Sequence, residues 1–357
     1  MKILSKLHST SDIKITVFKD EITNIVKKYI SSKQDLLYYY MTEYHNLLSK
    51  TLDSTLYYFC AMSNGKIVGI IPALLKVSDT KKSIMNSLPF FGSFGGPIAD
   101  SDDIKASLEE YYFTYCREVG CASATIVHSP LTASKSITDC NKSDNFLWET
   151  RLCQITDLRR NVADFEDFHN SRRRNVLKAS KNKIEVFISH EIGVMQSLCN
   201  IHRENLNNMN GVSKDWRFFK GVVNNVSKDN YRIYAAAIHG RIIAGLLLFY
   251  CHNTVEYFTP AIDSSYRSLQ PLSLLIHTAM CDAKNQDFTR WNWGGTWESQ
   301  KSLYQFKRRW GAEDYLYNYQ IRIFEDSILH LSRAELQNSF PYFYVCPFDL
   351  LVDSKSK

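Results

Sequence analysis

The sequence predicts an α/β (α+β) fold in which one unit of helix, β-hairpin, strand, loop, helix and strand occurs twice. Residues 57–76 and 231–250 share one pattern, two apolar strands joined by a polar residue and a glycine. Such turns between apolar runs are strong local signals of a β-hairpin. A chain of 357 residues is long enough for two domains with their own cores. We therefore expect two tandem copies, each a mixed sheet flanked by helices.

The first copy contains the turn Asn64-Gly65 and continues with further elements of alternating type. A strand and loop are predicted over residues 86–103, a helix over 104–119 and a strand over 124–129. Asp102 or Asp103 is expected to cap this helix, because a short side chain with an oxygen can accept a hydrogen bond from the first free amides.

The second copy repeats this order after the turn His239-Gly240. A strand is predicted over residues 254–262, a loop over 263–270, a helix over 271–284 and a strand over 289–295. Pro271 suits the first helical turn, where its missing N–H costs nothing.

The predicted domains are residues 1–160, residues 161–325, and a C-terminal helix and tail over residues 326–357. A strand-like run ends between Trp148 and Ala163, and no Pro/Gly/Ser-rich linker follows it. The two copies are therefore expected to pack closely.

Composition argues against several classes of protein. No apolar run approaches the roughly 18–20 residues of a membrane-spanning helix, and the N-terminus lacks the apolar stretch of a secretory leader. The nine cysteines are dispersed and include no C-x-x-C pair, which is typical of reduced thiols in the cytosol. We expect a cytoplasmic protein without a metal site, and its net charge of +6 favours an anionic partner.

The loop over residues 263–271 is the first candidate anion site. Backbone amides and the positive end of a helix dipole coincide where a strand leads into a helix. Arg267 and the amides around Ser268 to Gln270 could hold a phosphate or carboxylate there. The alternative is that Arg267 is an ordinary exposed arginine.

A second candidate is the basic segment over residues 171–183, which contains six Lys or Arg residues and no acid. Arg173, Arg174 and Lys178 are candidate ligands of a phosphate, since arginine binds phosphate through two parallel hydrogen bonds. The alternative is a solvated helix face, the usual reason for a run of charge.

The third candidate lies over residues 289–311, where a strand turns at a glycine pair and leads into an amphipathic helix. Trp293 lies on the strand, and Phe306 and Lys307 lie on the helix. A lysine beside an apolar stripe often only extends to solvent. Trp291, Trp293, Trp297 and the glycine pair lie so close together that they favour a functional site instead.

These motifs, in this order, resemble the second domain of the FemABX-like acyltransferases, tandem proteins of the GNAT superfamily of N-acyltransferases. The motifs are R-R-R-N-x-x-K-A, Y-R-x-x-x-P before a helix, W-G-G at a strand end, and L-x-x-F-K-x-x-W-G. Phe94 to Pro97, F-G-G-P, stand at the matching point of the first copy. The resemblance covers roughly residues 30–325.

The resemblance implies transfer of an acyl or aminoacyl group to an amine of a cell-envelope sugar or peptidoglycan precursor. The donor would be a co-substrate, acyl-CoA or aminoacyl-tRNA, with no permanently bound cofactor. Lys307 of the F-K pair would stabilise the tetrahedral oxyanion, and Tyr257 would line the acceptor site. A general base is not required; Tyr257, Glu256 and Asp263 are the candidates if there is one.

The implied partners are the activated donor and a nucleotide- or lipid-linked sugar or peptidoglycan precursor. Transfer RNA and peripheral contact with the inner membrane are compatible with the resemblance, whereas no pattern indicates DNA binding. Neither copy has the Q/R-x-x-G-x-G/A loop of acetyl-CoA-binding GNAT domains, and no long helical-hairpin insertion is present. The first departure favours a rival hypothesis, in which a degenerate, non-catalytic pair of GNAT domains binds an anionic glycan or nucleic acid. The second favours an acyl donor over tRNA.

Overall fold

The computed structural model describes residues 13–89, 94–132, 146–209 and 211–352. The chain divides into two compact units. Unit 1 is formed by Met1–Gln34, Tyr39–Arg151 and Leu316–Lys357, and unit 2 by Asp35–Tyr38 and Leu152–Tyr315.

Helices and strands alternate along the chain, which confirms the predicted α/β class. The elements up to Asp157 are β1 (Lys14–Lys19), α1 (Asn24–Ser31), α2 (Thr42–Thr51), β2 (Thr55–Ser63), β3 (Lys66–Val77), β4 (Ser83–Asn86), β5 (Ile98–Ala99), α3 (Asp102–Glu118), β6 (Cys121–Val127) and β7 (Leu147–Asp157). The later elements are α4 (Asn170–Lys181), β8 (Glu185–Ser189), α5 (Ile192–Asn207), α6 (Trp216–Asn225), β9 (Tyr231–Ile238), β10 (Arg241–Cys251), β11 (Thr254–Ile262), α7 (Pro271–Asn285), β12 (Arg290–Thr296), α8 (Lys301–Arg308), β13 (Ala312–Ile323) and α9 (Arg333–Ser339). Short 3₁₀ turns lie at Tyr38–Tyr40, Ser264–Leu269, Asp326–His330 and Phe348–Leu350.

The two units have the same strand order. In unit 1 the order is β1-β2-β3-β4-β6-β13, with β5 beside β3, and in unit 2 it is β8-β9-β10-β11-β12-β7. The pairs β4–β6 and β11–β12 are parallel, and the neighbouring hairpin pairs are antiparallel. Each unit is therefore a mixed sheet with helices, as predicted.

Both predicted hairpins are present, β2–β3 and β9–β10. Asn64 and Gly65 have φ of 48° and 74°, and His239 and Gly240 have φ of 50° and 76°. Two consecutive residues with positive φ define the two-residue turn whose twist matches that of the flanking strands. Glycine is favoured at the second position of each turn because it adopts a positive φ without strain.

The boundary between the units lies earlier than the predicted one at residue 160. The Tyr39–Arg151 segment of unit 1 ends within β7, and residues 152–157 of this strand pair with β12 in unit 2. Strand β7 thus begins in unit 1 and completes the sheet of unit 2.

The C-terminal segment also differs from the prediction, which assigned residues 161–325 to the second domain and residues 326–357 to a separate tail. Leu316–Lys357 belong to unit 1, where β13 pairs with β6. The Asn86 side chain holds the tail: its Nδ2 donates to Tyr344 O and its Oδ1 accepts from Tyr344 N, both at 2.8 Å. A single boundary along the sequence cannot describe this arrangement, because β7 pairs in the sheet of unit 2 and β13 pairs in the sheet of unit 1.

The N-cap of helix α3 precedes both of the predicted caps. The Ser101 hydroxyl accepts from Ile104 N at 3.3 Å, so Ser101 is the N-cap instead of Asp102 or Asp103. The two aspartates occupy the first turn, where carboxylates are stabilised by the helix dipole.

The parallel pair of unit 1 is continued by the F-G-G-P segment. Ser87 N donates to Thr125 O and Gly95 N donates to Val127 O, both at 2.8 Å, so the segment lies along the end of β6. A Cβ on Gly95 would fall 1.5 Å from Ser87 O. Backbone therefore fills the space beside β6 in unit 1.

We predict that Gly95→Ala lowers the free energy of unfolding by about 2 kcal/mol or more, because the new methyl group must displace backbone. Chemical denaturation measures the change. Gly193→Ala is the matched control, since a Cβ there meets nothing within 4 Å and alanine favours a helix. Equal stability of the two variants would contradict the close packing at Gly95.

Candidate functional site

In unit 2, strands β11 and β12 part after a short parallel ladder. The ladder ends at Glu256 and Asn292, although β11 continues to Ile262 and β12 to Thr296. The pairing of β11 with β10 is irregular at the same point, leaving Phe258 as an extra residue. Bulges of this kind redirect side chains and often lie next to functional sites. The sheet of unit 2 is therefore open where that of unit 1 is filled.

The turn at the end of β12 is fixed by Asn292. Its Oδ1 accepts from Gly294 N at 2.9 Å and from Cys153 Sγ at 3.1 Å, and its Nδ2 donates to Glu256 Oε2 at 2.7 Å. Gly294 has a φ of 71°, a conformation that other residues adopt only with strain. Asn292 and Glu256 are fully buried. The Glu256 carboxylate thus supports the turn by fixing the Asn292 side chain.

Lys307, on helix α8, binds the same turn. Its Nζ donates to Gly294 O at 3.1 Å, Gly295 O at 3.0 Å and Thr296 Oγ1 at 2.7 Å. Only 2% of the residue is exposed, and this burial lowers the pKa of the ammonium group to about 8. An ammonium group has three N–H donors, and these three bonds use them. Direct donation to an oxyanion therefore requires one of the bonds to be exchanged.

Aromatic side chains connect the opening to helix α8. The Tyr257 ring lies 4.8 Å from that of Trp293, which lies 5.9 Å from Phe306 and 6.3 Å from Trp310 between centroids. Trp293 Nε1 donates to Thr156 Oγ1 at 2.8 Å, which fixes the indole. The structure thus brings together Tyr257, Trp293, Phe306 and Lys307 of the predicted site.

Arg172 joins this cluster, although the sequence interpretation singled out its neighbours. Its guanidinium lies 5.3 Å from the Phe306 ring centroid and 5.7 Å from that of Trp310. Burial lowers its pKa from the ordinary value. Arg172 shares a helix face with the buried Val176 and Ala179 at i, i+4 and i+7 spacing. That spacing was the signal that could have identified it.

The other predicted basic residues of α4 do not belong to the cluster. Arg173, Arg174 and Lys178 are exposed, and no ion pair or aromatic contact involves their side chains in the part of the chain described here. They lie on the outward face of the helix because its inward face carries Arg172 and Val176.

The loop before α7 is a 3₁₀ turn in which Arg267 and Ser268 are exposed. Gln270 N donates to Arg267 O at 3.2 Å. The prediction that the Gln270 amide is available to an anion is therefore wrong, because the turn itself uses that amide.

The three candidate bases have other functions in the fold. Burial raises the pKa of Tyr257 well above its ordinary value, which keeps the phenol protonated. Glu256 binds Asn292, and Asp263 accepts from Ser265 N at 3.0 Å and Arg241 Nη2 at 2.8 Å. Tyr257 is thus suited to donate a hydrogen bond.

Residues 169–315 match the family model described as an acetyltransferase (GNAT) domain. The matched segment, which is less than half of the chain, contains the strand opening, the glycine turn and the basic helix, in agreement with the resemblance stated from the motifs.

Solved structures share the fold of the whole chain. FemX matches with a TM-score of 0.68 at 13% identity, over 87% of this chain and 98% of its own. The C-terminal domain of a putative lysylphosphatidylglycerol synthetase from Agrobacterium fabrum matches with a TM-score of 0.58 at 13% identity, over 88% and 96%. A tandem GNAT protein from the clavulanic acid pathway matches with a TM-score of 0.52 at 10% identity, over 87% and 98%. Identities this low show the fold alone.

Among curated proteins, none matches this sequence. Within the described ranges, no helix is both long and apolar enough to cross a membrane.

We predict that Lys307→Met lowers the free energy of unfolding by about 2 kcal/mol, because buried oxygen atoms lose their donor. Lys301→Met, at the exposed start of the same helix, is the control and should change the value by less than about 0.5 kcal/mol. Urea denaturation of both variants measures the difference; an unaltered midpoint for Lys307→Met would show that the three bonds contribute nothing.

Proposed function

We propose that the protein is an N-acyltransferase that moves an acyl or aminoacyl group from an activated donor to a primary amine. The observation that carries this proposal is the separation of β11 and β12 within the segment that matches the GNAT model. Tyr257 and Trp293 border this opening, and Lys307 fixes the glycine turn at the end of β12. A preorganised separation between two strands suits an extended donor, whose carbonyl must be held still during attack.

Tyr257 is proposed to donate a hydrogen bond to the tetrahedral oxyanion. Its hydroxyl stays protonated at neutral pH because burial raises its pKa, and no hydrogen bond from it to another described residue competes with this function. A donor placed where charge develops lowers the barrier most effectively in a site that excludes water.

Lys307 is proposed to act as a positioning residue. In the charged form it donates to all three oxygen atoms of the glycine turn. A neutral amine has two N–H groups and a lone pair, so one of the three oxygen atoms would lose its donor. The charge of Lys307 thereby keeps the turn, and with it Trp293, in place.

The acceptor is proposed to be an amine of a cell-envelope sugar or peptidoglycan precursor, with acyl-CoA or aminoacyl-tRNA as donor. Support comes from the fold shared with FemX and with the C-terminal domain of a putative lysylphosphatidylglycerol synthetase. The exposed basic face of α4 suits a donor or acceptor that carries phosphate.

The test is to incubate the protein with acyl-CoA or charged tRNA and an amino-sugar nucleotide or muropeptide precursor, and to analyse the products by mass spectrometry. An acylated amine is the expected product. Binding of these compounds without any acylated product would favour the rival hypothesis, a non-catalytic pair of GNAT domains that binds an anion.

We predict that Tyr257→Phe lowers kcat by about 100-fold, the effect of removing one oxyanion donor, with the KM of the donor little changed. The matched control is Tyr315→Phe, since Tyr315 is exposed on β13 and should retain the wild-type rate. Steady-state kinetics measure both values. A wild-type kcat in Tyr257→Phe would remove the hydroxyl from the mechanism.

The rate should also depend on the charge of Lys307. Its pKa is lowered from 10.5 to about 8, so the proton is lost as pH rises through that value and kcat should fall there. In Lys307→Arg the guanidinium stays charged, and the decline should disappear whatever rate remains. The measurement is kcat between pH 6 and pH 10; an identical decline in the arginine variant would assign it to another group.

A further inference from the structure

Arg172 is a buried cation whose charge no described carboxylate neutralises. Only 6% of the residue is exposed, and its guanidinium forms no ion pair within the described part of the chain. Among the described residues its hydrogen-bond acceptor is the Ser171 hydroxyl, whose Oγ lies 3.4 Å from Nε and 3.3 Å from Nη2. A guanidinium has five N–H donors, so most of them remain for a further acceptor. A buried charge is costly unless an opposite charge and hydrogen bonds compensate it.

Two aromatic rings fix the Arg172 guanidinium but do not satisfy its donors. Its Cζ lies 5.3 Å from the ring centroid of Phe306 and 5.7 Å from that of Trp310. A cation over an aromatic face is stabilised by the ring. Neither ring offers an oxygen atom to the N–H groups, which lie along the edge of the planar guanidinium. The rings thus orient a group that is built to bind the oxygen atoms of a phosphate or carboxylate.

The position of Arg172 in α4 adds positive charge to an end of the helix that is already positive. Arg172 is the third residue of α4, Arg173 and Arg174 follow it, and no acidic residue lies in the first turn. The N-terminus of a helix is normally stabilised by negative charge. Arg309, the C-cap of α8, is joined to this end because its carbonyl accepts from His169 N at 3.0 Å. Burial and the charge of Arg309 lower the pKa of Arg172.

The acidic residues that precede α4 do not offset this charge. Asp164, Glu166 and Asp167 are exposed, and Asp164 accepts from Asn161 Nδ2 at 2.7 Å. Within the described ranges, none of the three carboxylates pairs with Arg172. An anion from outside this part of the chain would supply the negative charge that the arrangement lacks.

We propose that Arg172 is the anchor of a phosphate-binding subsite where α4 begins and α8 ends. Its guanidinium donates to two phosphate oxygen atoms, while Arg309 and the positive end of α4 add to the favourable field. The subsite adjoins the aromatic cluster that leads to Tyr257, because Phe306 contacts Trp293 and Trp293 contacts Tyr257. The ligand is thus a phosphate group of the donor or of the acceptor. This last assignment, unlike the subsite itself, rests on the function proposed above.

The opposing explanation is that Arg172 only packs on the two rings. Methionine also packs well on aromatic rings, and lysine keeps the positive charge, but neither side chain has the planar fork that binds two oxygen atoms. A packing role predicts that phosphate compounds stabilise the protein no more than other salts do. A ligand-binding role predicts a stabilisation that depends on the guanidinium of Arg172.

The experiment titrates the full-length protein with inorganic pyrophosphate at constant ionic strength and measures the Tm, with the Kd from isothermal titration calorimetry. The wild-type Tm should rise with pyrophosphate, because a ligand that binds the native state stabilises it. Arg172→Met and Arg172→Lys should both bind about tenfold or more weakly. Arg203→Met removes an exposed arginine of α5; it is the control for net charge and should keep the wild-type Kd.

Wild-type affinity in either Arg172 variant would overturn the proposal. So would a wild-type protein whose Tm rises no further with pyrophosphate than with sodium chloride of equal ionic strength. This second outcome is measured without any variant, so the test holds even if Arg172→Met fails to fold.

The same titration with CoA, uncharged tRNA and UDP-glucosamine identifies the source of the phosphate. Weaker binding of CoA or tRNA by Arg172→Lys would assign the subsite to the donor, and weaker binding of UDP-glucosamine would assign it to the acceptor. Unchanged binding of all three would contradict the assignment to a co-substrate. A wild-type protein that binds pyrophosphate through Arg172 but transfers nothing would contradict the proposed function and not the subsite.

Discussion

The hydrogen bonds between Lys307 and the glycine turn of β12 are the constraint on which the site depends. They hold three oxygen atoms at 2.7 to 3.1 Å from one buried nitrogen, while Asn292 ties the turn to Glu256 from the other side. Burying a charge is costly unless its donors are satisfied, and here they are. The turn fixes Trp293, and Trp293 in turn sets the position of Tyr257 and Phe306.

The contrast between the two units explains why chemistry is assigned to unit 2. Both units contain a central parallel pair of strands, but in unit 1 the chain places Gly95 beside β6, where no side chain fits. In unit 2 the corresponding strands separate after Glu256 and Asn292. The two units thus share one strand order, whereas among the described residues the separated strands with aromatic and ionisable side chains beside them belong to unit 2.

Much of the fold could be predicted from local patterns. The hairpin turns, β11 and the Pro271 start of α7 follow from the characteristic backbone preferences of their residue types. The exchange of β7 and β13 could not be predicted, because it depends on pairing between distant segments. Phe306, Lys307 and Trp293 were identified through their motif. Arg172 was missed because charge runs are assigned to solvent.

The most direct measurement of the central claim is photolabelling with a diazirine-bearing acyl group, presented on CoA and on tRNA. Peptide mapping locates the carbonyl end of the donor without requiring turnover. Label in the peptides that carry Tyr257 and Trp293 is the predicted result. Label confined to the Phe94 to Pro97 segment of unit 1, with transfer still occurring, would contradict the assignment of the reaction to the opening in unit 2.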